Sequence, residues 1–202
     1  MEGKDWLVTS DGKYQACKSV RTWDLITENY RLYRFLTELE EILKKQLEET
    51  NYLAEIRKLV RRLLVNSYWI KTQHPEPDNE TGTSVKLLYD ELGFPFTVQT
   101  VTFTKGTQSN IHNHGTWGIV AVLKGQEKNT IWKRNHTAEH PDKIETAGEI
   151  ILNPGDIVSF APGAIHSIEA IEEPTVTFNL YGETRSKERF EFDTLNHTAK
   201  NF

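Results

Sequence analysis

The sequence predicts an α+β protein, mainly β, in which N-terminal helices pack on a small antiparallel jelly-roll barrel. Three observations lead there. An apolar stripe at helical spacing runs through the first third, the hydrophobic period changes to two at Phe96, and Pro/Gly pairs punctuate the short apolar runs that follow.

Between Asp24 and Thr50, the residues Leu32, Phe35, Leu36, Leu39 and Leu43 line one side of a helix. Glu38, Glu40, Glu41, Lys44 and Lys45 fill the opposite side, which reads as solvated surface. A second stripe follows in Leu53, Ile56, Leu59, Val60, Leu63 and Leu64. Arg57, Arg61 and Arg62 lie off it, and their expected role is solubility. Gln73 to Ser84 contains Pro75, Pro77, Asp78, Asn79 and Gly82, a loop that separates the helical part from the next region. Phe96 to Thr104 then alternates as a strand. Further strands are predicted at Gly118–Leu123, Thr130–Lys133, Glu149–Leu152, Ile157–Phe160 and Thr175–Tyr181. Lys105-Gly106, Lys124-Gly125, Pro154-Gly155-Asp156 and Pro162-Gly163 mark turns between them. The expected organisation is a single domain over 1–202, with a helical part at 20–72, a barrel at 85–193 and a tail at 194–202.

Composition narrows the function classes. A chain of 202 residues can bury a core without staples. Its single cysteine, Cys17, excludes an intramolecular disulfide and any CxxC-type zinc site. With 24 basic and 29 acidic residues the net charge is −5, which calls for neither nucleic acid nor an anionic membrane as partner. Met1 to Asp5 has no basic flank followed by an apolar run, so no secretory signal is expected there. No apolar stretch approaches the roughly 20 residues of a membrane span. A cytoplasmic protein with a small-molecule substrate, monomeric or homodimeric, is the expectation, and the sequons at Asn79, Asn135 and Asn196 read as chance matches.

The histidines carry the chemistry. His112 and His114 stand two apart in Ile111-His112-Asn113-His114, so on an extended chain both imidazoles point the same way. His166, in Pro162-Gly163-Ala164-Ile165-His166, starts another strand. If those strands are neighbours, three imidazoles converge on a site suited to Fe(II), Zn(II), Ni(II) or Cu(II), and spacing alone does not choose among these.

These residues also carry a family resemblance. Gly106 and His112-Asn113-His114 running to Gly125 resemble the first cupin motif, and Gly155 to His166, with Ala161-Pro162-Gly163, resembles the second. The glutamate of the usual motif would fall at Gly118 or Ile119, so the carboxylate ligand is missing and a three-histidine site is implied. Within cupins, Lys86-Leu87-Leu88-Tyr89, His112 through Gly118 and Asn179-Leu180-Tyr181-Gly182 resemble the cysteine dioxygenase and 3-mercaptopropionate dioxygenase family. That resemblance implies a mononuclear Fe(II) held by His112, His114 and His166, with Zn(II) or Ni(II) as alternatives on purification. It also implies O2 as co-substrate and a small thiol, cysteine or a mercapto acid, oxidised to a sulfinate.

The family's Ser-x-His-x-Tyr relay corresponds to Thr177-Phe178-Asn179-Leu180-Tyr181, which places Thr177, Asn179 and Tyr181 on one face of a strand. Tyr181 is retained. Asn179 replaces the histidine, and an amide cannot relay a proton near neutral pH. For a substrate carboxylate, Lys86 stands at the spacing of the animal enzymes' arginine, with Arg185 and Arg189 as competitors and Trp117 as a pocket wall. The crosslinking cysteine of the animal enzymes has no counterpart. Two other readings stay open: a three-histidine dioxygenase with a non-thiol substrate, and a cupin that binds a metal or small ligand without turnover. His74, His136, His140 and His197 read as loop, connection and tail residues, and Glu127 and Glu149 as solvated strand-end carboxylates.

Overall fold

A computed structural model describes residues 3–27, 30–45, 48–91, 93, 95–172 and 174–202. The elements in chain order are β1 (Asp5–Val8), β2 (Tyr14–Cys17), α1 (Leu32–Lys44), α2 (Glu49–Asn66), α3 (Tyr68–Thr72), β3 (Thr83–Tyr89), β4 (Phe96–Phe103) and β5 (Ile111–His112). They continue with β6 (Gly118–Lys124), β7 (Glu127–Arg134), β8 (Ile144–Leu152), β9 (Ile157–Phe160), β10 (Ile165–Ala170), β11 (Thr175–Gly182), β12 (Phe190–Asp193) and β13 (Thr198–Asn201). No helix among the described residues is long and apolar enough to cross a membrane.

Two sheets face each other, one in the order β2-β1-β9-β6-β11-β4-β3 and the other β13-β12-β5-β10-β7-β8. From β4 to β11 the chain crosses between them at every step except the β7–β8 hairpin, and every pairing inside that span is antiparallel, which makes the barrel a jelly roll. The N-terminal helices cover the outer face of the first sheet. Even-numbered residues of β11 point at them: Phe178 meets Phe35 of α1 edge-on, with ring centroids 6.3 Å apart. Removing such a side chain from water stabilises the fold by about 2–3 kcal/mol. The α2 stripe Leu53, Ile56, Leu59, Val60, Leu63 and Leu64 lies in the same apolar cluster. A second cluster, including Val120, Val122, Ile131, Leu152, Val158 and Phe160, fills the barrel between the sheets.

Three expectations are corrected. The first third does not open as helix, because β1 and β2 form a hairpin and β1 joins the barrel in parallel with β9. Four-residue strands are too short to display a period. The tail at 194–202 is also structured: β13 pairs with β12, and the Asn201 side-chain amide donates to the carbonyls of Ser186, Lys187 and Arg189 at 3.2, 3.1 and 3.0 Å. Finally, Arg57 and Arg61 are not solvated. Both are buried, Arg61 pairs with the buried Asp5 of β1 and donates to the Gly155 carbonyl at 2.9 Å, and Arg57 donates to Ser159 of β9. They join α2 to the sheet.

Candidate metal centre

Each histidine is placed by its strand. β5 lies between β12 and β10, and His112 sits directly opposite His166 in the ladder. Directly opposed residues bring their Cβ atoms within about 5.5 Å. His114 follows two residues later, on the same side, just before Gly115. That glycine has φ +63°, and a Cβ there would lie 2.7 Å from the Arg185 carbonyl, so the bend after the histidine pair requires glycine. The ring centroids of His112 lie 4.8 Å from those of both His114 and His166. Ligand atoms of the three residues all fall within 4.8 Å of one another.

The arrangement fits a divalent transition metal. The Nε2 atoms of His114 and His166 are 2.9 Å apart. Two imidazoles bound at about 2.0–2.1 Å with that separation subtend about 90° at the ion, the angle of adjacent octahedral positions rather than of a tetrahedron. The tautomers agree. His112 Nδ1 lies 2.9 Å from the Asn110 carbonyl, and His166 Nδ1 lies 2.8 Å from Asn129 Oδ1. Both partners are acceptors, so each Nδ1 carries the proton and each Nε2 keeps its lone pair. Burial holds all three imidazoles below the usual histidine range, His114 and His166 well below it. The neighbouring histidines lower His114 and His166 further, and the Arg189 charge lowers His112 and His114. Neutral imidazole is the form a metal takes.

Around the histidines, β11 contributes Thr177, Asn179 and Tyr181, as period two predicts. The Tyr181 hydroxyl donates to Asn179 Oδ1 at 3.2 Å, and Asn179 Nδ2 donates to Thr177 Oγ1 at 2.8 Å. The Tyr181 ring stacks on His114 at 4.5 Å. Its phenol is pushed upward by burial and by the charge of Glu127, so the proton stays on the oxygen at neutral pH. A Cβ on Gly118 would sit 3.1 Å from two carbons of that ring, so the space a side chain at 118 would fill belongs here to Tyr181.

Of the three cations weighed for substrate, the structure brings one to the site. The guanidinium of Arg189 lies 4.0 Å over the Phe202 ring, whose centroid is 6.2 Å from that of His112. Among the described residues, its buried Nε has no hydrogen-bond partner. Asn113, between the two histidines, holds the preceding turn: its side chain accepts from the Phe190 amide at 2.6 Å and donates to the Glu188 carbonyl at 3.0 Å. Lys86 is elsewhere. It is paired with Thr100, which is paired with the helix-facing Phe178, and it donates to the Gln73 carbonyl at 3.1 Å. Alternation puts it on the opposite face of the sheet from Asn179. Arg185 is an exposed residue 3.5 Å from Glu188. Trp117 packs against Tyr52 of α2, with centroids 6.3 Å apart, in the helix-facing core instead of walling a pocket. His140 and His197 meet with ring centroids 4.6 Å apart and planes inclined by 57°.

Two further residues escape the sequence reading. Asn129 is fully buried, and Glu127 is only 2% exposed, which corrects its assignment as a solvated carboxylate. Burial pushes Glu127 up to about 7 against the opposing hydrogen bond from Asn129. The alternation of β7 carried the signal: Glu127, Asn129 and Ile131 share the inward face. Glu149 is exposed as expected.

No family model matches the chain. Among solved structures it is similar to KdgF from Halomonas sp., with 20% identity, 56% of this chain and 92% of that chain covered, and a TM-score of 0.43. It is similar to oxalate oxidase in complex with the substrate analogue glycolate, at 16% identity over 56% of each chain and a TM-score of 0.41. It is also similar to the Cupin_2 domain of an XRE family transcriptional regulator from Enterobacter cloacae, at 18% identity, 52% and 99% coverage and a TM-score of 0.38. These neighbours are cupin-fold proteins, and at such values the likeness assigns neither family nor activity.

Proposed function

We propose that this protein is a mononuclear non-haem Fe(II) dioxygenase that oxidises a small thiol bearing a carboxylate, cysteine or a mercapto acid, to its sulfinate. The observation that carries the reading is a set of three neutral imidazoles, with Nε2 open on the two whose tautomer is set, beside a protonated Tyr181 and an Arg189 whose Nε has no hydrogen-bond partner among the described residues. The net reaction, R–SH + O2 → R–SO2H, places both oxygen atoms on sulfur. The four electrons lost by sulfur are those O2 gains, so no external reductant enters.

Bound by His112, His114 and His166, Fe(II) would supply the redox chemistry and a full +2 charge that attracts a thiolate, since none of its protein ligands is anionic. The chain's own residues do the positioning. Arg189 offers its free Nε–H to the substrate carboxylate, and stacking on Phe202 fixes the plane of the guanidinium. Tyr181 stands over His114 with its proton in place, held by Asn179, which is oriented in turn by Thr177.

One observation favours a second reading, a dioxygenase with a non-thiol substrate. The chain from Thr177 to Tyr181 holds an amide at its middle and therefore contains no group that exchanges a proton near pH 7. O2 consumption by the Fe(II)-loaded protein decides between them, using cysteine, 3-mercaptopropionate, cysteamine and mercaptosuccinate. Uptake matched mole for mole by sulfinate, for the carboxylates and not for cysteamine, is the expected result. Stoichiometric iron with no uptake for any thiol overturns the thiol reading in favour of the second.

A further inference from the structure

The tautomer of His166 depends on a residue that turns over easily. Asn129 Oδ1 accepts from His166 Nδ1 at 2.8 Å. An amide is nearly symmetrical in shape, however, and a half-turn exchanges its oxygen for its NH2 group. In the turned form Asn129 would donate, His166 Nδ1 would have to accept, and the ring proton would move to Nε2. That nitrogen faces His114 and is the one a metal needs. His112 has no such weakness, because its Nδ1 is met by the Asn110 backbone carbonyl, which cannot turn over.

One group decides which way Asn129 points. Its Nδ2 donates to Glu127 Oε1 at 2.8 Å, and the ionised carboxylate, the form that prevails above the value of about 7 to which burial pushes Glu127, has acceptors only. Turning the amide would set two oxygens against each other. Exposures of 2% for Glu127, 0% for Asn129 and 3% for His166 keep bulk solvent from compensating either end. The geometry points to Glu127 as a positioning residue for the metal centre: through Asn129 it fixes His166 as the Nδ1–H tautomer and keeps Nε2 open. A buried carboxylate is costly unless it is given a task or a partner. Among the described residues its side chain's one hydrogen bond is to Asn129, which gives Glu127 this task.

The inference rests on the metal-binding part of the proposed function and not on thiol chemistry, so its test uses no turnover. The first measurement is a long-range 1H–15N correlation spectrum of the metal-free protein, assigned for the His166 ring and recorded at about pH 8.5, where Glu127 is ionised. A protonated Nδ1 is expected, and a protonated Nε2 in the wild type overturns the proposal without any variant. Glu127→Gln keeps size and hydrogen bonding but offers either an oxygen or an NH2 group, so direction is lost. A mixture of His166 tautomers is expected, with Co(II) affinity, followed by visible absorption, falling about 10- to 100-fold as for other residues behind a metal ligand. Adding Asn129→Asp should restore both readouts, because an aspartate accepts from Nδ1–H whichever way it turns. A merely structural role for Glu127 would not be rescued by that change. The proposal is overturned if Glu127→Gln leaves tautomer and affinity unchanged, if affinity falls while the tautomer stays pure, or if the double variant is not restored.

Discussion

The protein buries two polar clusters, one between α2 and the outer face of the first sheet and one between the two sheets, and they are built on opposite plans. On the helix-facing side Asp5, Arg57 and Arg61 are paired with one another, with Ser159 and with the Gly155 carbonyl. On the barrel side, His112 and His166 each have one nitrogen tied by a hydrogen bond and the other turned toward its neighbours. The first cluster is turned inward: one carboxylate, Asp5, is shared by two guanidinium groups that also reach Ser159 and the Gly155 carbonyl, and its work is to dock α2 on β1 and β9. The second is open, a set of lone pairs aimed at a common point. Buried polar groups left short of partners are costly, and a fold keeps them where a ligand completes them. The contrast separates a structural cluster from a functional one more sharply than burial does, since both are buried.

Removing one member of each cluster should therefore produce opposite failures. His166→Ala is expected to take bound Fe(II) from one per chain to none, measured by metal analysis after desalting. Asp5→Ala strands two buried guanidinium groups and is expected to cost about 3–5 kcal/mol in urea unfolding, with the iron content of the folded fraction unchanged. Loss of iron in Asp5→Ala at unaltered stability would show that the clusters are one unit.

The contrast also has a pH signature. Glu127 is the carboxylate that the barrel interior leaves without a cation, and its folded pKa of about 7 lies above the ordinary 4.5. The native state disfavours its charged form, so its contribution to stability is full below about pH 4.5 and is lost as pH rises through 7. The difference of about 2.5 units corresponds to a loss of at most about 3 kcal/mol in the metal-free protein. The three histidines act in the opposite direction over part of this range, but they are common to the wild type and Glu127→Gln. Subtracting the two urea-derived stability profiles isolates the carboxylate. The difference should decline from pH 4.5 to 7.5, and a flat difference would mean that Glu127 is charged throughout.

How much of this was legible in the sequence follows from the range of each signal. The His-x-His spacing, the strand carrying Thr177, Asn179 and Tyr181 and the α2 stripe are local periodicities, and the structure places all of them as period two or 3.6 requires. Arg57 and Arg61 were misread because their partners, Asp5, Ser159 and Gly155, lie roughly 50 to 100 residues away, and no window along the chain contains both. Lys86 matched a position in a family but not a face of the sheet. Its cross-strand neighbours, which decide the face, come from pairings that the sequence does not print. Glu127 reads as a strand end because the β-branched run that marks the strand begins at Thr130. In fact β7 starts at Glu127, and that difference of three residues is what places the carboxylate inside the barrel.

The smallest expected effect tests the open side of the barrel cluster. Gly118 has no side chain, and the Tyr181 ring occupies the space where one would stand. A methyl group there would stand 3.1 Å from Tyr181 Cδ1 and Cε1 but 3.7 Å from His114 Cδ2, so it presses on the tyrosine and only touches the histidine. Gly118→Ala should therefore cost about 1–3 kcal/mol of stability through overpacking. Co(II) affinity should stay within about threefold, because the ligands keep their places, while turnover of whatever thiol proves active should fall about tenfold in kcat with KM little changed. The split between affinity and kcat is the informative quantity. A parallel loss of metal would mean that the stacked tyrosine supports His114 as a ligand, and an unchanged kcat would remove Tyr181 from the chemistry.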